Sequence, residues 1–257
     1  MRNRRILILG GTSDARVLAA ELIAAGYETV TSLAGVTEAP VMPAGELRRG
    51  GLGGEEGLYA YLEDGKFNAL ADATHSFAAQ ISRHGFNAAK RAGIPYLRLE
   101  RESWVPVAGD RWLGVPDIAG AVAALPSQSR ALLTIGRKQI APFLERGDIA
   151  WVARMIEKPL LELPPNWHLI LARPPFGIED ERNLMANHRI THLVTKNAGG
   201  AQTEAKLMAA RELGLPVIMI ARPAKPLAQT FATAAALVIA LGQAVAVSAG
   251  DRIIHRR

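Results

Sequence analysis

"RILILGGTSDAR", Arg5 to Arg16, runs from four consecutive apolar residues through two glycines into a polar stretch. A short apolar run ending at glycine reads as a buried strand. Thr12 or Ser13 can cap a following helix, and Asp14 suits the positive end of its dipole. Ala15, Leu18, Ala19, Leu22 and Ile23 then keep helical spacing, and Gly26 is a natural stop. A dinucleotide-binding domain begins this way, yet its G-x-G-x-x-G fingerprint is not met. The six positions are Gly10, Gly11, Thr12, Ser13, Asp14 and Ala15. Two adjacent glycines suit a phosphate cradle and a tight structural turn equally well.

Outward from this unit the same rhythm continues. Glu28–Leu33, Asn68–Ala73 and Pro95–Leu99 read as strands, with a helix over 78–92. Glu102–Asp117, punctuated by Pro106, Gly109, Gly114 and Pro116, reads as a linker. The alternation then restarts: strand 131–135, turn Gly136, helix 139–146, strand 192–195, helix 203–213, stop Gly214 and strand 216–220. Strands alternating with helices imply parallel α/β sheets. The expected fold is therefore two Rossmann-like parallel-sheet α/β halves, residues 1–105 and 106–257, with a ligand cleft between them.

The chain has 257 residues, 49% of them hydrophobic, which is ample for one large or two small cores. It contains no cysteine, which excludes disulfides and thiolate metal sites and fits a reducing compartment. The N-terminus enters a strand directly, so no signal peptide is expected. Ala232–Val247 is too short for a membrane span and reads as a buried helix. A net charge of +6 points to an anionic ligand. Only 5% of residues are aromatic, and no basic tract interleaves with them, so nucleic acid ranks last among partners. The terminal His255-Arg256-Arg257 reads as a solvated tail.

Several stretches carry possible chemistry. Gly10, Gly11, Thr12 and Ser13 would hold a pyrophosphate at a helix N-terminus. An NAD site places an acid near the end of the second strand, but Thr29–Gly35 has none. Ser32 and Arg16 tolerate a 2′-phosphate better, which favours NADP. "RRGGLGGEEGL", Arg48–Leu58, is a second glycine-rich loop whose Gly51 and Gly53 either approach a cofactor or form a surface connection. "DATHSFA", Asp72–Ala78, offers Thr74 as a cofactor contact and His75 as a proton donor, or only a structural histidine. His188 and His192 have i,i+4 spacing, but Arg189 stands where a zinc-protease helix needs glutamate, so no metal site is expected. Basic residues cluster at predicted turns: Arg98, Arg101, Arg137, Lys138, Arg154 and Lys196. With Thr134, Asn197, Gly199 and Thr203 they suit a ligand carrying several carboxylates or phosphates.

Taken together, "GGTSDAR" (10–16), "DATHSFA" (72–78), "YLRLERESW" (96–104), "TIGRKQ" (134–139), "RMIEKP" (154–159) and "TKNAGGAQTEAKLMAARELGLPVIMIARP" (195–223) resemble the precorrin-6A reductase family of cobalamin biosynthesis. The resemblance covers nearly the whole chain in order. It implies an NADPH-dependent reduction of one carbon–carbon double bond in a corrin-ring precursor. The first α/β domain would hold the cofactor, and the second the polycarboxylated tetrapyrrole. It also implies a cytoplasmic enzyme. The chain departs from the family pattern at Ser76 and Glu102, where proline is common. Neither change touches hydride transfer, whose chemistry belongs to the cofactor. A competing reading, drawn from the first glycine turn alone, is a non-enzymatic NADP-binding sensor or partner-binding module.

Overall fold

The computed structural model describes residues 4–33 and 42–254. The end of the Thr29–Gly35 stretch and the 255–257 tail lie outside them. The chain forms two compact units, one of Met1–Arg101 with Ala224–Arg257, the other of Glu102–Pro223.

In the first unit the strands are β1 (Arg5–Leu9), β2 (Glu28–Leu33), β3 (Glu46–Arg49), β4 (Ala69–Asp72), β5 (Tyr96–Leu99) and β12 (Gln229–Phe231). They form a six-stranded sheet in the order β12-β5-β4-β1-β2-β3, parallel at every pairing. Its helices are α1 (Ser13–Ala24), α2 (Gly54–Asp64), α3 (Ala79–Arg91) and α8 (Ala234–Ile254). The continuous apolar run of β1 is explained by burial on both faces. Ile6 and Ile8 pack with Leu18 and Leu22 of α1 and with Leu237 and Leu241 of α8. Leu7 and Leu9, on the opposite face, pack with Leu58 and Leu62 of α2 and Ala88 of α3.

In the second unit the strands are β6 (Arg111–Val115), β7 (Arg130–Leu133), β8 (Ala150–Met155), β9 (Trp167–Leu171), β10 (His192–Lys196) and β11 (Pro216–Ile220). The order is β6-β11-β10-β7-β8-β9, again all parallel. Helices α4 (Ile118–Ala124), α5 (Ala141–Leu144), α6 (Ile178–Asn187) and α7 (Ala205–Glu212) connect them. The expected pair of parallel α/β halves is therefore present. In the first sheet the chain walks outward from β1 to β3, then returns to β4 and walks the other way; in the second it lays β6 at one edge, walks from β7 to β9, then returns to β10 and ends with β11 beside β6. The reversal falls between β1 and β4 in the first sheet and between β7 and β10 in the second. Carboxyl ends of strands at such switch points are where open α/β sheets take ligands.

Four expectations need correction. The first boundary lies at 101/102, and residues 224–257 belong to the first unit rather than the second. The reason is pairing: β12 adds to β5, with Thr230 opposite Arg98, and α8 buries its apolar face on the first sheet. The expected linker contains β6, whose Arg111, Leu113 and Gly114 are exposed at a sheet edge, so no inward–outward alternation marks it. The glycine-rich stretch Arg48–Leu58 is the end of β3, a turn and the first residues of α2. The helix expected over 139–146 is a single 3₁₀ turn, Arg137–Gln139, followed by the four-residue α5 with Pro142 in it.

Leu237, Leu241 and Val245 lie four residues apart on α8 and are buried. Leu241→Ala is expected to destabilise the first unit by about 2–5 kcal/mol, read from urea unfolding.

Candidate functional site

At the first switch point, Gly10 passes so close to β2 that a Cβ there would sit 2.7 Å from Thr31 Cγ2. Gly11 has φ +114° and nothing within 4 Å of its Cβ position, so the turn offers both a glycine-only backbone and open space beside the start of α1. The Thr12 hydroxyl is committed to the fold. It accepts from Ala15 N–H as the helix cap and donates to Ala73 O at 2.8 Å, tying the turns after β1 and β4 together. The side chain expected to donate to a phosphate is therefore a structural cap. Arg16 folds back toward Thr12 O at 3.4 Å and stays beside the turn. Ser32 is buried on β2, and its carbonyl accepts from Gly10 N–H at 3.0 Å.

Arg101, expected among the substrate contacts, lies instead at the N-terminus of α1. Its guanidinium pairs with the Asp14 carboxylate, donating to Oδ1 at 2.9 Å, and donates to Ser13 Oγ at 2.8 Å. Ser13, expected to meet a phosphate, and Asp14, which suits the helix dipole, are thus joined by a third side chain that carries positive charge. On the far side of β2, Arg48 holds the carbonyls of Gly50 and Gly51 at 2.7 and 2.9 Å. Gly53, with φ +75°, is the N-cap of α2.

The turn after β4 is built on Asp72. This buried carboxylate accepts from Thr74 N–H (3.1 Å), Thr74 Oγ1–H (2.7 Å) and Tyr96 O–H (2.6 Å). Burial pushes the Asp72 carboxyl up, but hydrogen bonds from Ser82, Tyr96 and Thr74 and the Lys225 charge outweigh it and hold the group below the ordinary carboxylate range. Burial and the Asp72 charge push the Tyr96 hydroxyl well up, so it stays a donor. Arg98 is buried, 3.6 Å from Asp72, and donates to Pro226 O at 3.0 Å. Arg98, expected as a substrate contact, thus lies beside a buried carboxylate. His75 is exposed beyond this network. Its Nδ1 accepts from Phe77 N–H at 3.2 Å, which places the neutral ring's proton on Nε2. Lys225, from the segment returning to this unit, approaches His75 O at 3.4 Å and pairs with Glu100 at 3.3 Å.

At the second switch point the carboxyl ends of β10, β7 and β8 are neighbours, and Lys196, Arg137 and Arg154 share that edge. Lys196 Nζ reaches across to Ile135 O at 2.8 Å, and burial pushes its ammonium down to about 8. Thr134 closes on β10 through Val194 O. Lys138 is exposed. Arg137 binds Glu157 (3.1 Å) and Lys158 O (3.0 Å), tying down the segment after β8. Asn197 spends its amide on the backbone of Trp104, accepting from N–H at 2.8 Å and donating to C=O at 2.9 Å. Gly199 is required by contact: a Cβ would lie 2.0 Å from Glu102 O. Thr203 O accepts from the Lys206 ammonium.

Arg154 departs from expectation. It is buried, donates to the equally buried Glu181 at 2.7 Å and lies over the Phe176 ring at 3.8 Å. No sequence signal separates Glu181 from its neighbours Glu179 and Asp180, which read as an acidic first turn of α6. Lys206 and Lys225 were missed for the same reason, since each looks like a surface charge until the chain has folded.

Tyr96→Phe removes a donor from a buried carboxylate and is expected to cost about 1.5–3 kcal/mol at neutral pH. Asp72 has a depressed folded pKa, so its contribution is complete above the ordinary carboxylate range and is lost as pH falls through the folded value. The variant narrows that gap, and its unfolding free energy should depend less on acid than that of the wild type. Urea titrations at pH 7 and pH 3 measure both.

Residues 5–241 match the family model described as Precorrin-6x reductase CbiJ/CobK. The chain is 49% identical over 224 residues to a precorrin-6A reductase of Rhodococcus erythropolis, covering 86% of this chain and 90% of the relative. It is 45% identical over 231 residues to a precorrin-6A reductase of Rhodobacter capsulatus, covering 89% and 92%. A solved structure titled CobK precorrin-6A reductase superposes with TM-score 0.89 at 43% identity, covering 93% of this chain and 96% of that one. With two parallel α/β sheets and a family match running from the first strand into the last helix, the chain belongs to the precorrin-6x reductase family.

Proposed function

We propose that this chain is a cytoplasmic reductase that uses NADPH to saturate one ring carbon–carbon double bond of precorrin-6A, giving the dihydro product precorrin-6B. The observation that carries this reading is the pair of switch points in one chain. The first bears a glycine turn running into a 12-residue helix, with open space at Gly11. The second bears an ammonium, Lys196, at the meeting of two strand ends. The names of the relatives agree with it.

NADPH supplies hydride when bound. The residues that would hold it are Gly10, Gly11, Ser13, Arg16 and the amides opening α1, with Arg101 adding positive charge at the same helix end. The Gly51–Gly53 turn, Ser32 and Thr74 share this edge of the sheet. The absence of an acid near Ser32 favours a 2′-phosphate over a 2′-hydroxyl. In the second unit Lys196 would hold a substrate carboxylate, with exposed Lys138 as a further cation. His75, with its proton on Nε2, would deliver a proton to the carbon next to the one that takes hydride.

Mixing the protein, NADPH and precorrin-6A should lower nicotinamide absorbance and shift the tetrapyrrole chromophore. Parallel reactions with the cobalt-containing form establish the metal preference, and failure with both forms overturns the reading. NADPH should bind at least about tenfold tighter than NADH, roughly 1.4 kcal/mol, and Arg16→Ala should erode that ratio in a fluorescence titration. Lys196→Ala should raise the substrate KM about tenfold and leave NADPH affinity unchanged. Because the charged ammonium is the binding form, wild-type substrate affinity should fall as pH rises through about 8. Lys196→Arg should remove that break in the KM profile.

A further inference from the structure

Three buried charges lie behind the second unit's carboxyl edge, where α6 and α7 cover the sheet. Arg154 on β8 and Glu181 on α6 form an ion pair at 2.7 Å, with side-chain exposures of 7% and 0%. Lys206 on α7 is buried beside them, attracted by Glu181 and repelled by Arg154. The second Glu181 oxygen, Oε2, has no hydrogen-bond partner among the described residues. Each cation reaches a different loop of the edge. Arg154 lies over the ring of Phe176, in the loop between β9 and α6. Lys206 donates to Thr203 O, in the loop between β10 and α7, and lies 4.7 Å from the centre of the Trp104 ring. The backbone of Trp104 is in turn clamped by Asn197, the first residue of that loop.

Stability alone does not explain this cluster. Two cations and one carboxylate taken out of water carry a large desolvation penalty, and apolar residues of similar volume often replace such groups with equal or greater stability. A carboxylate between two cations does, however, impose direction. It fixes where both stems point, and through them where both loops lie.

We infer that Glu181 is a positioning residue for the substrate edge, acting through Arg154 and Lys206 to hold the loops 172–177 and 197–203 in register. For the identity of the ligand this rests on the reading above. Burial pushes the Lys206 ammonium down to about 7, so without the Glu181 charge the lysine should lose its proton and its hold on Thr203 more readily.

The test uses two variants of the full chain. Glu181→Gln keeps the volume and removes the charge. The triple variant Arg154→Met/Glu181→Leu/Lys206→Met replaces the cluster with apolar side chains. Both should raise the precorrin-6A KM at least about tenfold while NADPH affinity stays at the wild-type value. Hydrogen exchange should quicken at 197–203 and 172–177 but not at β7 or β10. The triple variant should keep or exceed the wild-type Tm, and it decides the matter should Glu181→Gln fail to fold. A stable triple variant with wild-type KM and wild-type loop exchange overturns the inference. So does a fall of Tm and NADPH affinity in parallel with a rise in KM in the variants. The exchange measurement needs no substrate, so it stands even where the wild type fails to turn over precorrin-6A.

Discussion

A parallel strand buried on both faces has no surface on which to carry polar chemistry. In this chain the central strands are closed in by helices above and below, with Ile6 and Ile8 facing one layer and Leu7 and Leu9 the other. Polar groups are left with the strand ends. Connections at the amino ends lead into strands, while those at the carboxyl ends open helices, whose first amides are unsatisfied. Every feature with chemical potential follows from that constraint: the turn at Gly10–Ser13, the Asp72–His75 turn, and the edge holding Lys196.

The second principle is how charge is handled at those edges. Arg98, Arg101, Arg137 and Arg154 look alike in sequence, but each is balanced by a carboxylate: Asp72, Asp14, Glu157 and Glu181 respectively. Their surroundings then sort them. Arg101 remains at a helix N-terminus beside open space. Arg137 ties down a loop. Arg98 and Arg154 are buried and shape the turns around them. Lys196 donates to the Ile135 carbonyl, and burial has lowered its proton affinity.

Two six-stranded parallel sheets are used, with a glycine turn at the first switch point and cationic and amide groups at the second. On the proposed reading, the bond-forming chemistry belongs to the cofactor, and the carboxyl edge of each unit would hold one anionic molecule.

Much of this was legible in the residues. The bounds of β1 and β11 follow from apolar runs ending at glycine and alanine positions, and the helical spacing of Ala15, Leu18 and Leu22 marks α1. These are local patterns whose period is set by the backbone itself. The tertiary structure alone decided the rest. β6 is an edge strand with exposed residues, so it carries no alternation. Residues 224–257 return to the first unit because β12 finds its partner in β5, more than a hundred residues away, and no local pattern encodes a partner at that distance. The Thr12 hydroxyl, Arg98, Arg154 and Asn197 read by residue type as ligand contacts, and each makes hydrogen bonds within the fold that residue type does not foretell. A side chain's chemistry is written in the sequence, but what it touches is settled only when packing determines which groups lose water together.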